Sequence, residues 1–377
     1  MSFGTVQAEK VTTESGYSLG AGNASSFKNR LINGAQVIDQ RYAGAAYTSA
    51  NGFVTDRWST AYFAPNGGNY TSQQVSDAPT GTGFKYSLRT TVTATPSSNA
   101  DQYFQMFQPI EGYNIADLLL GTASAKSFTF SFWVKSSLTG TFCAAFMNNQ
   151  STTRSYIATY TIDAANTWEY KTITVQGDTS ATGTWGTTNG QGLTVFFDLG
   201  SGTAQEASSA GSWQTGNFRR VSGAVRVVGT NGATFQVTGV QLEVGTVATS
   251  FDFRSYGTEL ALCQRYYYKN FPAAVNKTFG MGFNGTTVLT YGFVQFPVSM
   301  RTSPSALEQN GTANNYMVAY LGTATTCSVV PVIVNSTPDG SNISFQVASG
   351  LTAGQGNQMR TDGTNGATAY LAWSAEL

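Results

Sequence analysis

The chain has 377 residues, and only 11% of them are charged, with 20 Lys and Arg against 20 Asp and Glu. A chain of this length can form two or three domains, and its lack of a basic surplus argues against nucleic-acid binding. It contains no histidine, which excludes Ser-His-Asp and Cys-His catalytic triads and histidine metal ligands.

Three cysteines, Cys143, Cys263 and Cys327, are too far apart in the sequence for a CxxC metal motif or a disulfide framework. They fit a reduced, cytosolic assembly compartment. The N-terminal MSFGTVQAEK lacks the basic and apolar regions of a signal peptide, and every apolar run is far shorter than the roughly 20 residues that span a membrane. We therefore expect no signal peptide and no membrane insertion.

Residues 1–27 are polar, with one alternating run, TVQAEKVT, followed by GYSLGAGNASS. A single short strand cannot bury a face by itself, so we interpret this segment as an anchoring arm that pairs with other subunits. Val6 and Val11 are its candidate oligomer contacts.

Residues 28–256 carry repeated strand signals at intervals of roughly 8–12 residues, separated by Gly and Asn turns. The first predicted strand is RLINGAQVIDQR, with a turn or bulge at Asn33-Gly34. Such short alternating strands predict an antiparallel β-sandwich of the jelly-roll type. A helix-compatible patch within it, YNIADLLLGTA, would place three apolar residues on one face: Ile115, Leu118 and Leu119.

Two of the predicted strands alternate clearly. In WEYKTITVQG, Tyr170 and Ile173 fall on opposite faces. In SFTFSFWVKS, Trp133 lies on the face opposite four apolar residues: Phe128, Phe130, Phe132 and Val134. Trp133 is therefore expected either to face solvent or to pack on a second sheet.

Residues 257–270, GTELALCQRYYYKN, are the main helix-compatible run and predict a helical linker. Thr258 suits the N-cap, and basic residues suit the negative C-terminal end. So short a helix requires tertiary packing. Three residues on one stripe are candidate oligomer contacts: Leu260, Cys263 and Tyr267.

Residues 271–377 return to strand-like alternation, as in YGFVQF, and about 100 residues is enough for a small sandwich. The predicted fold is therefore all-β: an antiparallel β-sandwich (jelly roll) followed by a second, smaller β-sandwich, with a short helix between them.

Several long segments carry a family resemblance. Their order resembles that of a module found in tailed-bacteriophage tail fibres and other virion appendages. The segments are, in chain order, IEGYNIADLLLGTASAKSFTFSFWVKSSLTGTF, TWEYKTITVQGDTSATGTW and FQVTGVQLEVGTVATSFDFRSYGTELALCQRYYYK. The resemblance covers about residues 28–270, and GTVQAEKVTT is similar to the leader of some such fibres. The module is also similar in outline to jelly-roll carbohydrate-binding modules, whose Asn-Gly, Trp and Leu-Glu strand motifs correspond to three segments here: Leu31–Gly34, Trp168–Tyr170 and Val240–Glu243.

The resemblance implies a bacteriophage virion subunit, on the tail or the capsid, that is assembled in the host cytoplasm. It implies a homotrimer, because three chains close a shaft and cover edge strands. Residues 1–27 would contact other virion proteins, and the outer part of the subunit would attach to a host-surface glycan or protein.

A glycan-binding face needs exposed aromatic rings that stack on a pyranose. The candidate glycan contacts are Trp58, Trp133 and Trp213. Glycoside hydrolysis needs two acids held about 5–9.5 Å apart. The candidate acids are Asp39, Asp56, Glu111, Asp198 and Glu243, of which Asp39, Asp198 and Glu243 could equally hold a structural calcium, although no DxDxDG loop is present.

The leading hypothesis from the sequence is a virion structural subunit that mediates assembly and host attachment. The alternatives are a carbohydrate-binding receptor-recognition module with a specific glycan and, third, a polysaccharide hydrolase. No glycine motif forms a phosphate-binding loop, and we predict neither enzymatic activity nor a cofactor.

Overall fold

The computed structural model describes residues 10–12, 18–20, 27–148, 153–320 and 322–377. The chain divides into two compact units, residues 1–256 together with residue 377, and residues 257–376. In the N-terminal arm, β1 (Lys10–Thr12) pairs antiparallel with β2 (Ser18–Gly20), and Val11 lies opposite Leu19.

The first unit contains fourteen further strands: β3 (Asn51–Thr55), β4 (Trp58–Phe63), β5 (Asn69–Val75), β6 (Ser87–Ala94), β7 (Tyr103–Glu111), β8 (Phe128–Ser136), β9 (Gly140–Met147), β10 (Arg154–Ile162), β11 (Glu169–Val175), β12 (Gln191–Asp198), β13 (Glu206–Ala207), β14 (Trp213–Thr215), β15 (Arg220–Val221) and β16 (Thr234–Val244). A seven-stranded sheet has the order β14-β10-β9-β12-β7-β4-β3, and a five-stranded sheet has the order β11-β8-β16-β6-β5. Both sheets are antiparallel, whereas β13 and β15 form a small parallel pair.

The two sheets pack through alternating aromatic side chains, which confirms the predicted antiparallel sandwich. Phe130 and Phe132 of β8 are fully buried, as the alternation of SFTFSFWVKS predicts. Phe130 meets Phe146 at a ring-centroid distance of 5.3 Å, and Phe132 meets Phe197 at 5.0 Å, both edge to face. Each such pair adds about 0.5–1.5 kcal/mol to the burial of its rings.

Two predictions within this unit are wrong in detail. RLINGAQVIDQR is not a strand, because Asn33, at φ 57°, turns the chain, and its amide both accepts from the Ile38 N–H and donates to the Ile38 carbonyl. The YNIADLLLGTA patch forms two 3₁₀ turns, Gly112–Asn114 and Ala116–Leu118. Leu119 does not share the buried face, because its left-handed φ of 54° leaves it 43% exposed.

The helix α1 (Tyr256–Gln264) is shorter than the predicted 257–270, and Thr258 lies inside it rather than at its N-cap. The tyrosine-rich end is instead a strand, β17 (Tyr267–Asn270), because aromatic residues favour strands and these pair with the chain's last strand. Within the described ranges no helix is both long and apolar enough to cross a membrane.

The remaining strands of the second unit are β18 (Thr278–Asn284), β19 (Leu289–Gln295), β20 (Leu307–Gln309), β21 (Tyr316–Tyr320), β22 (Thr323–Thr337), β23 (Gly340–Val347), β24 (Gly356–Thr361) and β25 (Leu371–Ser374). The order β17-β25-β20 forms a three-stranded sheet.

The other six strands close into a barrel in the order β18-β19-β23-β22-β21-β24, so the small sandwich that the sequence predicts is instead a barrel. Closure follows because β24 pairs with both β18 and β21. The long β22 changes register against β23 at three points, and such irregularities let a strand curve around a barrel.

Candidate functional site

An aromatic cleft of about 610 Å³ lies on the face of the five-stranded sheet that points away from the core. It is lined by residues of β8, β11 and β16 and of the segments 81–84 and 248–253: Gly81, Thr82, Phe84, Ser131, Trp133, Tyr170, Gly239, Ala248, Thr249, Ser250, Phe251 and Phe253.

Trp133 and Tyr170 form an aromatic platform within the cleft. They are direct cross-strand partners on β8 and β11, and their ring centroids are 5.4 Å apart with the planes inclined by 48°. Tyr170 is 44% exposed and Trp133 is half-buried. The strand period puts them on the outer face, since Phe132, next to Trp133, and Ile173, three residues after Tyr170, point into the core.

Ser131 lies beside this platform and is almost completely buried. Its side chain lies beside the Tyr170 phenol, and partial burial raises the pKa of that phenol. The phenol therefore remains protonated at neutral pH and keeps both donor and acceptor capacity.

Three phenylalanines, Phe84, Phe251 and Phe253, form an aromatic wall of the cleft. Their centroids are 4.9–5.1 Å apart in all three pairs, so each ring fixes the other two. Phe253 is nevertheless 57% exposed. A large apolar ring held in place yet open to solvent is typical of a binding surface rather than a core.

A β-bulge at Gly239 brings the platform and the wall together. Between Thr238, opposite Trp133, and Gln241, opposite Ser131, β16 carries one extra residue. Gly239 has a left-handed φ of 57°, and a Cβ there would lie 2.5 Å from Cζ of Phe84. Only glycine accommodates both the backbone conformation and the close ring.

Two buried polar residues at the end of β16 hold the wall segment. Glu243, which is fully buried, accepts hydrogen bonds from the Thr249 N–H at 2.8 Å and the Thr249 hydroxyl at 2.7 Å. Gln241 accepts from the Asp252 N–H at 2.8 Å and donates to Glu243 at 2.9 Å. Lys28 donates to the Ser250 carbonyl, and burial lowers its pKa.

The three tryptophans predicted as glycan contacts lie in three different places. Trp133 lines the aromatic cleft. Trp58 is fully buried, donates from Nε1 to the Asn33 carbonyl and stacks on Phe197, so no ring face is open to a sugar and its prediction is wrong.

Trp213 lies in a separate cleft of about 290 Å³, at the edge of the other sheet. Its ring is half-buried, packs edge to face on Trp185 at 5.3 Å, and donates to the Gln176 carbonyl at 2.7 Å. The structure therefore does not bring Trp213 together with Trp133.

Sequence reasoning did not select Tyr170 or the aromatic wall as site residues. The sequence did contain a signal for Tyr170, because the alternation of WEYKTITVQG places its side chain on the face opposite Ile173. For Phe251 and Phe253 the signal is weaker and consists of the FDF that follows the last sandwich strand. For Phe84 the sequence contains no such signal.

The predicted oligomer contacts have different positions. Val6 lies outside the described residues, Val11 pairs in β1, and Leu260 is half-buried. Cys263 and Tyr267 are 0% and 2% exposed, so neither offers a surface to another subunit, and these two predictions are wrong. Tyr267 lies on β17 and donates to Glu308 at 3.0 Å, because the helical stripe does not extend to it.

The five candidate acids have local roles in the fold. Asp39 accepts from the Tyr42 and Gly44 N–H groups, and Asp56 accepts from the backbone and side chain of Gln40. Burial raises the pKa of Asp198, which lies 3.9 Å from Arg220. Glu111 is buried in β7, and Glu243 accepts hydrogen bonds from Thr249.

Among the described residues, no group of three or more Asp, Glu or Cys side chains is arranged to hold a metal ion.

No protein-family model and no curated protein sequence matches this chain. Among solved structures, a domain of tailspike protein 4 of bacteriophage CBA120 is 12% identical over 59% of this chain and 22% of its own, with a TM-score of 0.31. The family 11 carbohydrate-binding module of the cellulase Lic26A-Cel5E of Clostridium thermocellum is 12% identical over 55% of this chain and 98% of its own, with a TM-score of 0.28. The module TmCBM61, solved with β-1,4-galactotriose, is 11% identical over 58% of this chain and 99% of its own, with a TM-score of 0.27. These similarities are distant, and the architecture given above rests on this chain's own strand pairing.

Proposed function

We propose that this protein binds carbohydrate in the aromatic cleft, as the host-recognition part of a bacteriophage virion subunit. The observation that carries the carbohydrate proposal is the solvent-open platform of Trp133 and Tyr170, which lies in the same cleft as the wall of Phe84, Phe251 and Phe253. A pyranose ring presents apolar C–H faces that stack on such rings, and the cleft volume lies within the usual range of ligand sites.

Polar groups among the aromatic rings would fix a sugar's orientation. The lining includes the hydroxyls of Thr82, Ser131, Tyr170, Thr249 and Ser250. Hydroxyl groups both donate and accept, as sugar hydroxyls do. Aromatic rings interspersed with a few polar groups are the composition expected of a small-molecule site.

The test is a glycan array, followed by calorimetry with the best ligand. Trp133→Ala is expected to weaken binding by about tenfold or more, because it removes a stacking surface. The matched control is Tyr113→Ala, which removes an aromatic side chain that is 62% exposed and does not line the cleft. Equal affinity of Trp133→Ala and the wild type for every bound glycan would overturn the proposal.

We further propose that the protein binds its glycan without cleaving it, since Asp56, Asp198 and Glu243 are each engaged within the fold. Prolonged incubation with the bound oligosaccharide, followed by chromatography, is expected to return it intact. Release of shorter products that requires one of these acids would establish a hydrolase instead.

The virion part of the proposal is supported by the resemblance of residues 28–270 to phage appendage proteins. The chain is then expected in purified virions of its source phage, as a homotrimer anchored by residues 1–27. Mass spectrometry of the particles and the native mass of the isolated protein test this. A monomer that is absent from particles would exclude it, while leaving the carbohydrate proposal intact.

A further inference from the structure

The residues that line the aromatic cleft carry no charge. Among the described lining residues there are aromatic, small and hydroxyl-bearing side chains, and none is Asp, Glu, Lys or Arg. The neighbouring charged groups do not line the cleft and are engaged by the fold: Glu243 by Thr249, Lys28 by the Ser250 carbonyl, and Asp252 by Arg254 at 3.5 Å.

Two of the lining hydroxyls have already committed their protons. The Thr82 hydroxyl donates to the Pro79 carbonyl at 2.6 Å, and the Thr249 hydroxyl donates to Glu243 at 2.7 Å. Each has a single proton, so toward a ligand it offers only acceptor lone pairs. The other lining hydroxyls, those of Ser131, Tyr170 and Ser250, can both donate and accept. Two of the five lining hydroxyls are therefore acceptors only.

From these two observations we infer that the ligand is an uncharged saccharide whose hydroxyl groups donate to the cleft, and that acidic saccharides are rejected. This inference rests on the proposed carbohydrate binding and names the class of ligand. A carboxylate, sulfate or phosphate group is an acceptor only, so it would meet the Thr82 and Thr249 oxygens without a donor. It would also lose water without gaining a cation, which is unfavourable.

The test uses a matched pair of ligands: the best neutral oligosaccharide from the array, and the same oligosaccharide oxidised at C6 to uronic acids. Calorimetry is expected to show about tenfold or greater weakening on oxidation. Between ~0.01 and ~1 M salt the Debye length falls from ~30 to ~3 Å. Affinity for the neutral ligand is nevertheless expected to change by less than about twofold, because neither the ligand nor the lining residues carry a charge to be screened.

A charge placed in the cleft sharpens the test. Thr82→Lys introduces a donor and a cation and is expected to raise affinity for the oxidised ligand by about tenfold. Thr161→Lys is the matched control, because Thr161 is exposed on β10 of the other sheet. The control is expected to leave both affinities unchanged.

The outcomes separate the two proposals. Equal or tighter binding of the oxidised ligand, lost in Trp133→Ala, overturns the neutral-ligand inference and keeps carbohydrate binding. Binding of neither ligand, or binding that does not depend on Trp133, overturns the carbohydrate proposal itself, and the inference with it.

Discussion

The outer faces of the two sheets in the sandwich differ in what lies over them. Cys143 and Ile157 of the seven-stranded sheet are almost completely buried against Ala207 and Ala224, which belong to the covering segment 199–226. On the five-stranded sheet, Gln241 and Glu243 are covered by the segment that follows β16, whereas Trp133 and Tyr170 remain open. The covered face is a second core, and the open patch is the candidate site.

This difference shows that strand alternation decides which residues point outward but not which of them reach solvent. Tyr170 and Ile157 both lie on the outer face of a strand with alternating side chains, yet Tyr170 is 44% exposed and Ile157 is fully buried. What separates them is a connecting segment distant in sequence. The following predictions test the comparison by perturbing one face or the other, from the largest expected effect on stability to the smallest.

On the covered face, Arg220 is the residue whose loss is expected to cost most. It is 3% exposed, lies 3.9 Å from the buried Asp198, and donates to the carbonyls of Ser201 and Ala224. Arg220→Ala removes the nearest counter-charge of the buried Asp198, so urea denaturation is expected to show a loss of about 3–5 kcal/mol. Glycan affinity should be unchanged in the remaining folded protein.

The double variant Arg220→Met with Asp198→Asn serves as the control, because it removes both charges and keeps much of the volume. It is expected to be considerably more stable than Arg220→Ala. Equal stability of the two variants would show that packing, and not the uncompensated charge, dominates this face.

Beneath the open face, Gly239→Ala is expected to lower the free energy of unfolding by about 3 kcal/mol. Alanine is strained in the left-handed backbone, and its Cβ would clash with Phe84. It should also weaken glycan binding, because Phe84 belongs to the aromatic wall. The control is Gly232→Ala, at φ 77° with open space around it, which isolates backbone strain and should cost about 1 kcal/mol. Identical losses in the two variants would exclude the clash.

The sequence predicts the sandwich well because its signals are local. Phe130 and Phe132 alternate over one strand, and each fully buried ring confirms the pattern. The barrel could not be predicted in the same way, because closure depends on β24 pairing with β18, whose residues are about 80 positions away. Trp58 and Trp133 show the same limit at the site: both are tryptophans in strands, and only tertiary packing buries one of them.

The wall segment is expected to depend on Glu243. Glu243→Gln replaces a buried carboxylate that accepts three hydrogen bonds by a neutral amide. The bonds from Gln241 and the Thr249 N–H lose their charge assistance, and the Thr249 hydroxyl must turn to accept from the new amide, so the variant should lose about 2 kcal/mol of stability. Glycan affinity should fall as well, since Thr249 and Phe251 share this segment. Asp117→Asn, at an exposed ion pair with Arg30, is the control and should change stability by less than about 1 kcal/mol. Unchanged affinity in Glu243→Gln would show that the wall holds its position without this carboxylate.

The smallest effect on stability is expected at the open face itself. Tyr170→Phe keeps the ring on the platform and removes only the phenol hydroxyl, which lies beside Ser131, so it should cost at most about 1 kcal/mol of stability. Because stacking survives, calorimetry should show only a loss of about two- to tenfold in glycan affinity, the value of one hydrogen bond. A complete loss of binding would mean that the phenol, and not the ring face, makes the decisive contact. A large loss of stability with unchanged affinity would place Tyr170 with the structural residues of the covered face, and the contrast between the two sheets would no longer hold.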